Sequence, residues 1–128
     1  MNEPVNESTF EPKNELVSKP GSFISAHVLD AGAGRPAAGV GVRLTDSAGA
    51  PMAESVTDND GRVGDLGPEL LPPGNYQVIF ATGDYYARQN VRCFHPTVSV
   101  LFTVDAAERH YHIPLLLSPF SYTTYRGS

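Results

Sequence analysis

"HYHIPLLLSPFSYTTYRGS", residues 110–128, reads as two β-strand patterns joined by a turn. Side chains on a strand alternate between its two faces. Over residues 109–117 that alternation puts Tyr111, Ile113 and Leu115 on one face, and His110, His112, Pro114 and Leu116 on the other. The first set suits a hydrophobic core. The second sends histidine out on a face that also carries apolar side chains. In the following strand, 121–127, Thr123, Tyr125 and Gly127 share one face while Tyr122, Thr124 and Arg126 share the other. "FISAHVLD", residues 23–30, repeats the pattern. Ile24, Ala26 and Val28 form the apolar face, and Phe23, Ser25, His27 and Leu29 oppose it. His27 and His112 are therefore expected on sheet faces that turn away from the core.

The rest of the chain supports an all-β fold. "VGVRLTD" (40–46), "MAESVT" (52–57), "LPPGNYQVIFAT" (71–82) and "TVSVLFTV" (97–104) read as further strands. "SAGAP" (47–51) and "DNDGR" (58–62) read as turns, since Asn, Asp and Gly tolerate positive φ. "AGAGRPAAG" (31–39) reads as a loop, and "GDYYARQN" (83–90) as the one short helix. Seven or eight short strands separated by turn signals predict an antiparallel β-sandwich. With 128 residues, the chain fits one domain. The acidic, Pro- and Asn-rich stretch 1–20 reads as a disordered polar tail, leaving 21–128 as the folded domain. The net charge of −5 argues against nucleic acid or an anionic membrane as partner. No apolar run is long enough to span a bilayer. The stretch 1–20 lacks the apolar core of a secretory signal, so the default compartment is cytoplasmic, although a mature exported chain would read the same.

Little of the usual catalytic vocabulary is present. "GAGRPAAG" lacks the glycine spacing and following helix of a dinucleotide site. The one cysteine, Cys93, excludes an internal disulfide and a Cys-based zinc site. Asp58 and Asp60 most simply build a turn, because a calcium loop needs more oxygen ligands and a closing glutamate. The histidines carry more information. Two of them on outward, partly apolar faces fit scattered surface positions, an acid/base pair or a metal site. No third ligand with supporting spacing favours the metal.

Four stretches then combine in order: "AHVLD", "TDNDGR", "PGNYQVIF" and "HYHIPLLLSPFSYTTYRGS". Together they resemble the 5-hydroxyisourate hydrolase family, also called transthyretin-related proteins. The terminal "YRGS" is that family's distinguishing motif against transthyretin, the hormone carrier of the same fold. The resemblance covers about residues 22–128.

It implies a transthyretin-like (prealbumin-like) sandwich of eight strands and one short helix, with an extra short strand near residues 63–66. It implies a homotetramer in which two dimers meet face to face around a channel with two active sites. His27, His112, Pro114, Leu116, Thr123, Tyr125 and Gly127 would face that channel. By motif, the catalytic set is His27, Arg62, His112 and Ser128, with Ser128 offering a hydroxyl and a terminal carboxylate. Tyr125, Arg126, Gly127, Pro114 and Leu116 are the implied substrate-binding positions. The implied reaction is metal-free and cofactor-free hydrolysis of 5-hydroxyisourate to 2-oxo-4-hydroxy-4-carboxy-5-ureidoimidazoline in urate catabolism. His95, where relatives usually carry an aromatic residue, departs from the pattern and reads as structural. Two other readings stay open on composition and periodicity alone: a carrier of a small aromatic ligand, and a purely structural sandwich.

Overall fold

The computed structural model of the chain describes residues 22–127. The stretch 1–20 and Ser128, each given a role above, lie outside the described residues. The described chain forms β1 (Ile24–Asp30), β2 (Arg35–Pro36), β3 (Gly41–Asp46), β4 (Pro51–Val56), β5 (Arg62–Val63), β6 (Gly74–Phe80), α1 (Thr82–Ala87), β7 (Val98–Val104), β8 (Tyr111–Ser118) and β9 (Ser121–Thr124).

Two sheets face one another. One has the order β9–β8–β1–β2, with β5 also paired to β1. The other has the order β4–β3–β6–β7. Burial follows the alternation that the sequence predicts. Ile24, Ala26 and Val28 of β1 meet Ile113, Leu115 and Leu117 of β8 in the core, opposite Val42, Leu44, Val78 and Phe80 of the second sheet. Fully burying a side chain such as Leu44 or Phe80 is worth about 1.5–3 kcal/mol, so the inward rows hold the sheets together.

Four features differ from the sequence reading. The sandwich is not antiparallel throughout: β1 and β8 run parallel, with Ser25 opposite His112 and His27 opposite Pro114. Alternation says which face a residue takes and nothing about its partner's direction, so this pairing lies beyond it. The expected loop 31–39 contains β2, which pairs Arg35 with Asp30 and Pro36 with Leu29. Phe23 is buried rather than outward, because β1 begins at Ile24 and the Phe23 ring packs 5.5 Å from that of Tyr111. Pro114, on the outward face, is also buried.

The turn before β5 is built by its own side chains. Asp58 Oδ1 accepts from the N–H groups of Asp60 and Arg62, both at 2.9 Å. Gly61 has φ 76°, and a Cβ there would lie 2.3 Å from the Val28 carbonyl oxygen. Only glycine permits that conformation and that approach together. The turn is thereby pressed onto β1, with Val28 N–H donating to Gly61 O at 2.7 Å.

Helix α1 is tied to the last residue of β1. The buried Tyr85 hydroxyl donates to Asp30 Oδ2 at 2.7 Å, and Asp30 Oδ1 accepts from Ala33 N–H. Burial and the Asp30 carboxylate push the Tyr85 pKa up. The neighbouring Tyr86 is pushed up to about 12, by burial first and then by Asp30. Its buried hydroxyl has no hydrogen-bond partner among the described residues. Among the described residues no helix is long and apolar enough to cross a membrane.

Candidate active site

Strand β1 lies between two neighbours distant in sequence, and that brings the polar residues together. On one side the antiparallel β5 places Arg62 directly opposite His27. On the other the parallel β8 places His112 opposite Ser25, two residues from His27 on the same face. The imidazoles of His27 and His112 stand 6.4 Å apart, centroid to centroid, tilted by 38°. Both residues are half-buried, while Arg62 is exposed.

Each imidazole is held. His27 Nε2 donates to the Asp60 carbonyl at 3.0 Å, so the turn that carries Arg62 also orients His27. His112 Nδ1 lies 2.8 Å from Ser25 Oγ. The same hydroxyl lies 2.9 Å from His110 Nε2, and His110 Nδ1 is 3.2 Å from the Ser22 carbonyl. Burial, followed by the nearby His110, His27 and Arg62 charges, lowers the His112 pKa below its ordinary value. His110 is lowered too, chiefly by burial, with the Ser22 carbonyl pulling the other way. A neutral imidazole with a free lone pair can accept a proton from water, and an adjacent guanidinium can stabilise developing negative charge.

The terminal segment meets this pair from the β9 side. Strand β9 covers β8 through Ser121–Thr124. The chain then returns to pair Gly127 with His112, the Gly127 N–H donating to the His112 carbonyl at 2.9 Å. A Cβ on Gly127 would lie 2.6 Å from His112 Cδ2 and 3.2 Å from Pro114 Cγ. Arg126 points elsewhere. Its guanidinium donates to Glu108 at 2.7 Å and lies 4.7 Å over the Tyr111 ring. Tyr125 is exposed. Leu116 is half-buried opposite Leu29, on the same face as His112. The structure thus gathers His27, Arg62, His112, Pro114 and Gly127, while Arg126 and Tyr125 lie at the margin. Among the described residues no three His, Cys, Asp or Glu side chains group as a set able to hold a metal ion.

Residues 24–127 match the HIUase/Transthyretin family. The chain belongs to that family. Among its relatives, the 5-hydroxyisourate hydrolase of Salmonella dublin is 42% identical over 84% of this chain and 82% of its own length. The structure of Klebsiella pneumoniae 5-hydroxyisourate hydrolase superposes with a TM-score of 0.77 at 34% identity, covering 84% of this chain and 100% of that one. Sea bream transthyretin in complex with thyroxine superposes almost as well, with a TM-score of 0.76 at 36% identity over 82% of this chain and 94% of that one. Members of the HIUase/Transthyretin family thus include enzymes and a thyroxine binder on one backbone, so the side chains at the site decide between them.

Two residues of this family member were not among the sequence-derived site positions. Ser25 and His110 touch His112 or one another through a single hydroxyl. Both were visible in the sequence as outward-facing polar residues. Their partnership depends on the parallel β1–β8 register.

Proposed function

We propose that this chain hydrolyses 5-hydroxyisourate to 2-oxo-4-hydroxy-4-carboxy-5-ureidoimidazoline. The observation that carries the reading is the meeting of His27, Arg62 and His112 on one sheet face, in a chain whose relatives include named 5-hydroxyisourate hydrolases. The substrate has an activated cyclic amide. Its hydrolysis needs a deprotonated water, a counter-charge for the carbonyl oxygen and a proton for the leaving nitrogen. Water attacks the carbonyl carbon and gives up its proton to an imidazole. The carbonyl oxygen takes the negative charge, facing Arg62. The C–N bond then breaks, and the nitrogen leaves with a proton from the histidine pair. His27 and His112 share the base and proton-shuttle roles. Imidazole and guanidinium supply all three needs, so the scheme requires no metal.

Pro114, Leu116 and Gly127 form the apolar floor for the planar ring, and Tyr125 its rim. Arg126 contributes by holding the terminal segment: its clamp on Glu108 and Tyr111 keeps Gly127 against His112. Ser128, following Gly127, adds its hydroxyl. The functional form is a homotetramer with these faces opposed across a channel. Exposed Leu101 on β7 and Tyr122 on β9, each on the edge strand of its sheet, support further association.

The test is a coupled assay. Urate oxidase generates 5-hydroxyisourate in place, and its ultraviolet decay is followed with this protein and with His112→Ala. Fast decay that the substitution reduces by roughly 10²–10⁴-fold is expected. Decay at the spontaneous rate from folded protein would overturn the reading. The likeness to a thyroxine-bound transthyretin supports a carrier as the second reading, and thyroxine binding without turnover would establish it.

A further inference from the structure

We infer that Ser25 and His110 act as positioning residues, forming a hydrogen-bond relay that protonates His112 on Nδ1 and leaves its Nε2 as the free base. Its catalytic meaning rests on the hydrolase reading above; its geometry does not. The nitrogen of a histidine that carries the proton is set by the hydrogen bond the ring makes. The relay begins at the Ser22 carbonyl, which can only accept. His110 Nδ1, 3.2 Å from it, therefore carries the hydrogen. A neutral imidazole has one N–H, so His110 Nε2 is a lone pair. Ser25 Oγ, 2.9 Å away, donates its single hydrogen to that lone pair. The Ser25 oxygen is then left to accept, and His112 Nδ1 at 2.8 Å must be its donor. His112 Nε2 keeps its lone pair. Each proton position follows from the one before it, and the first is fixed by a backbone carbonyl.

The anchor is itself secured. Ser22 N–H donates to Asp65 Oδ1, and the Ser22 hydroxyl to the Gly67 carbonyl. His112 is half-buried and His110 more exposed, and the surroundings of each lower its pKa below the ordinary histidine value, so both are neutral near neutral pH, the state the relay requires. The charged and titratable groups around it are Arg126 from the terminal segment, Glu108 ahead of β8, Asp65 after β5, Arg62 on β5 and His27 on β1. The relay also distinguishes the two catalytic histidines. His27 donates from Nε2 to the Asp60 carbonyl and so keeps its lone pair on Nδ1, whereas His112 donates from Nδ1 and keeps its lone pair on Nε2.

Protonating His110 would reverse the chain. Its Nε2 would gain a hydrogen and donate to Ser25 Oγ. The Ser25 hydroxyl would turn to His112 Nδ1, and a neutral His112 would hold its proton on Nε2, where it cannot act as a base.

The deciding experiment is nitrogen NMR of the full-length protein with ¹⁵N-labelled histidine at about pH 8, above the ordinary histidine pKa. Signals are assigned by their loss in His110→Gln and His112→Gln. The expected result is His112 as the Nδ1–H tautomer. Finding the Nε2–H tautomer, or a mixture of the two, would overturn the relay. In the coupled assay, Ser25→Ala should lower kcat about 10- to 100-fold, on the scale of lost orienting partners, with KM little changed, and Ser25→Thr should recover most of the loss. Unchanged kcat in Ser25→Ala would also overturn it. An Nδ1–H tautomer in a protein that does not hydrolyse 5-hydroxyisourate would leave the relay standing and remove only the functional reading.

Discussion

The outward faces of the two sheets obey the same alternation and carry opposite kinds of polar chemistry. On the β4–β3–β6–β7 sheet the polar groups pair across neighbouring strands in open solvent. Arg43 meets Glu54 at 2.8 Å with both side chains more than half exposed, and Thr103 donates to Asn75. On the β9–β8–β1–β2 sheet Ser25, His27 and His112 are partly withdrawn from water, and with the more exposed His110 they bond to backbone carbonyls or to one another. The difference has a topological cause. Strands β3 and β4 are joined by a short turn, so their cross-strand partners are close in sequence. Strand β1 is flanked by β5 and β8, so residues far apart in the chain meet beside it. Chemistry collects where topology brings together groups that local pairing does not satisfy.

Four perturbations would break or sharpen this contrast. Acidification has the largest effect, acting on the histidine-bearing face of the β9–β8–β1–β2 sheet. A protonated His112 has no lone pair, so kcat/KM should fall as pH drops through its folded pKa. Burial places that value below the ordinary histidine pKa of about 6.5. The acid limb of the pH–rate profile should therefore lie below about 6.5, and a limb above it would contradict the environment described. The same depression makes the unfolded chain the better proton acceptor. Stability should begin to fall as pH drops below about 6.5 and level off beneath the folded pKa, which acid titration followed by circular dichroism would register.

Gly127→Ala comes next. Its Cβ would collide with the His112 ring, and displacing a reacting group by about 1 Å can cost about 10²-fold in rate. Activity should drop on that scale while the melting temperature changes little. Tyr85→Phe then probes the link between α1 and β1. It removes the donor to buried Asp30 and should cost about 1–3 kcal/mol in denaturant unfolding, with the rate largely kept. Smallest is Glu54→Ala on the opposite sheet, where an exposed ion pair is worth at most about 1 kcal/mol. Both the unfolding midpoint and the rate should be nearly unchanged.

Strands β1 and β8 were legible because each has enough residues to display alternation, and both faces were assigned correctly for His27, His112 and the core residues opposite them. The two-residue strands β2 and β5 are too short to alternate and exist only as partners of β1. Arg62 is exposed at the start of β5, directly after a turn, where nothing in its local sequence marks it as functional. The family motif singled it out, and its place beside His27 depends on the Asp58 side chain and the positive φ of Gly61. Ser25 and His110 were visible as outward residues, but their shared contact with His112 requires the parallel register, which no periodicity encodes. Phe23 was misplaced because parity was extended one residue beyond the start of the strand.

The parallel seam between β1 and β8 also dictates when the site can come into being. Ser25 and His112 are separated by 87 positions along the chain, and contacts of that span form late because a long loop must close first. The β3–β4 hairpin and the β6–β7 pair can zip from nearer neighbours. During synthesis the β1 half of the site emerges early, with β2 and β5 following soon after, and waits for its β8 partner through nearly the whole remainder of the domain. Recovery of activity after dilution from denaturant is thus a clock for the last docking event, and should lag the return of β-sheet signal.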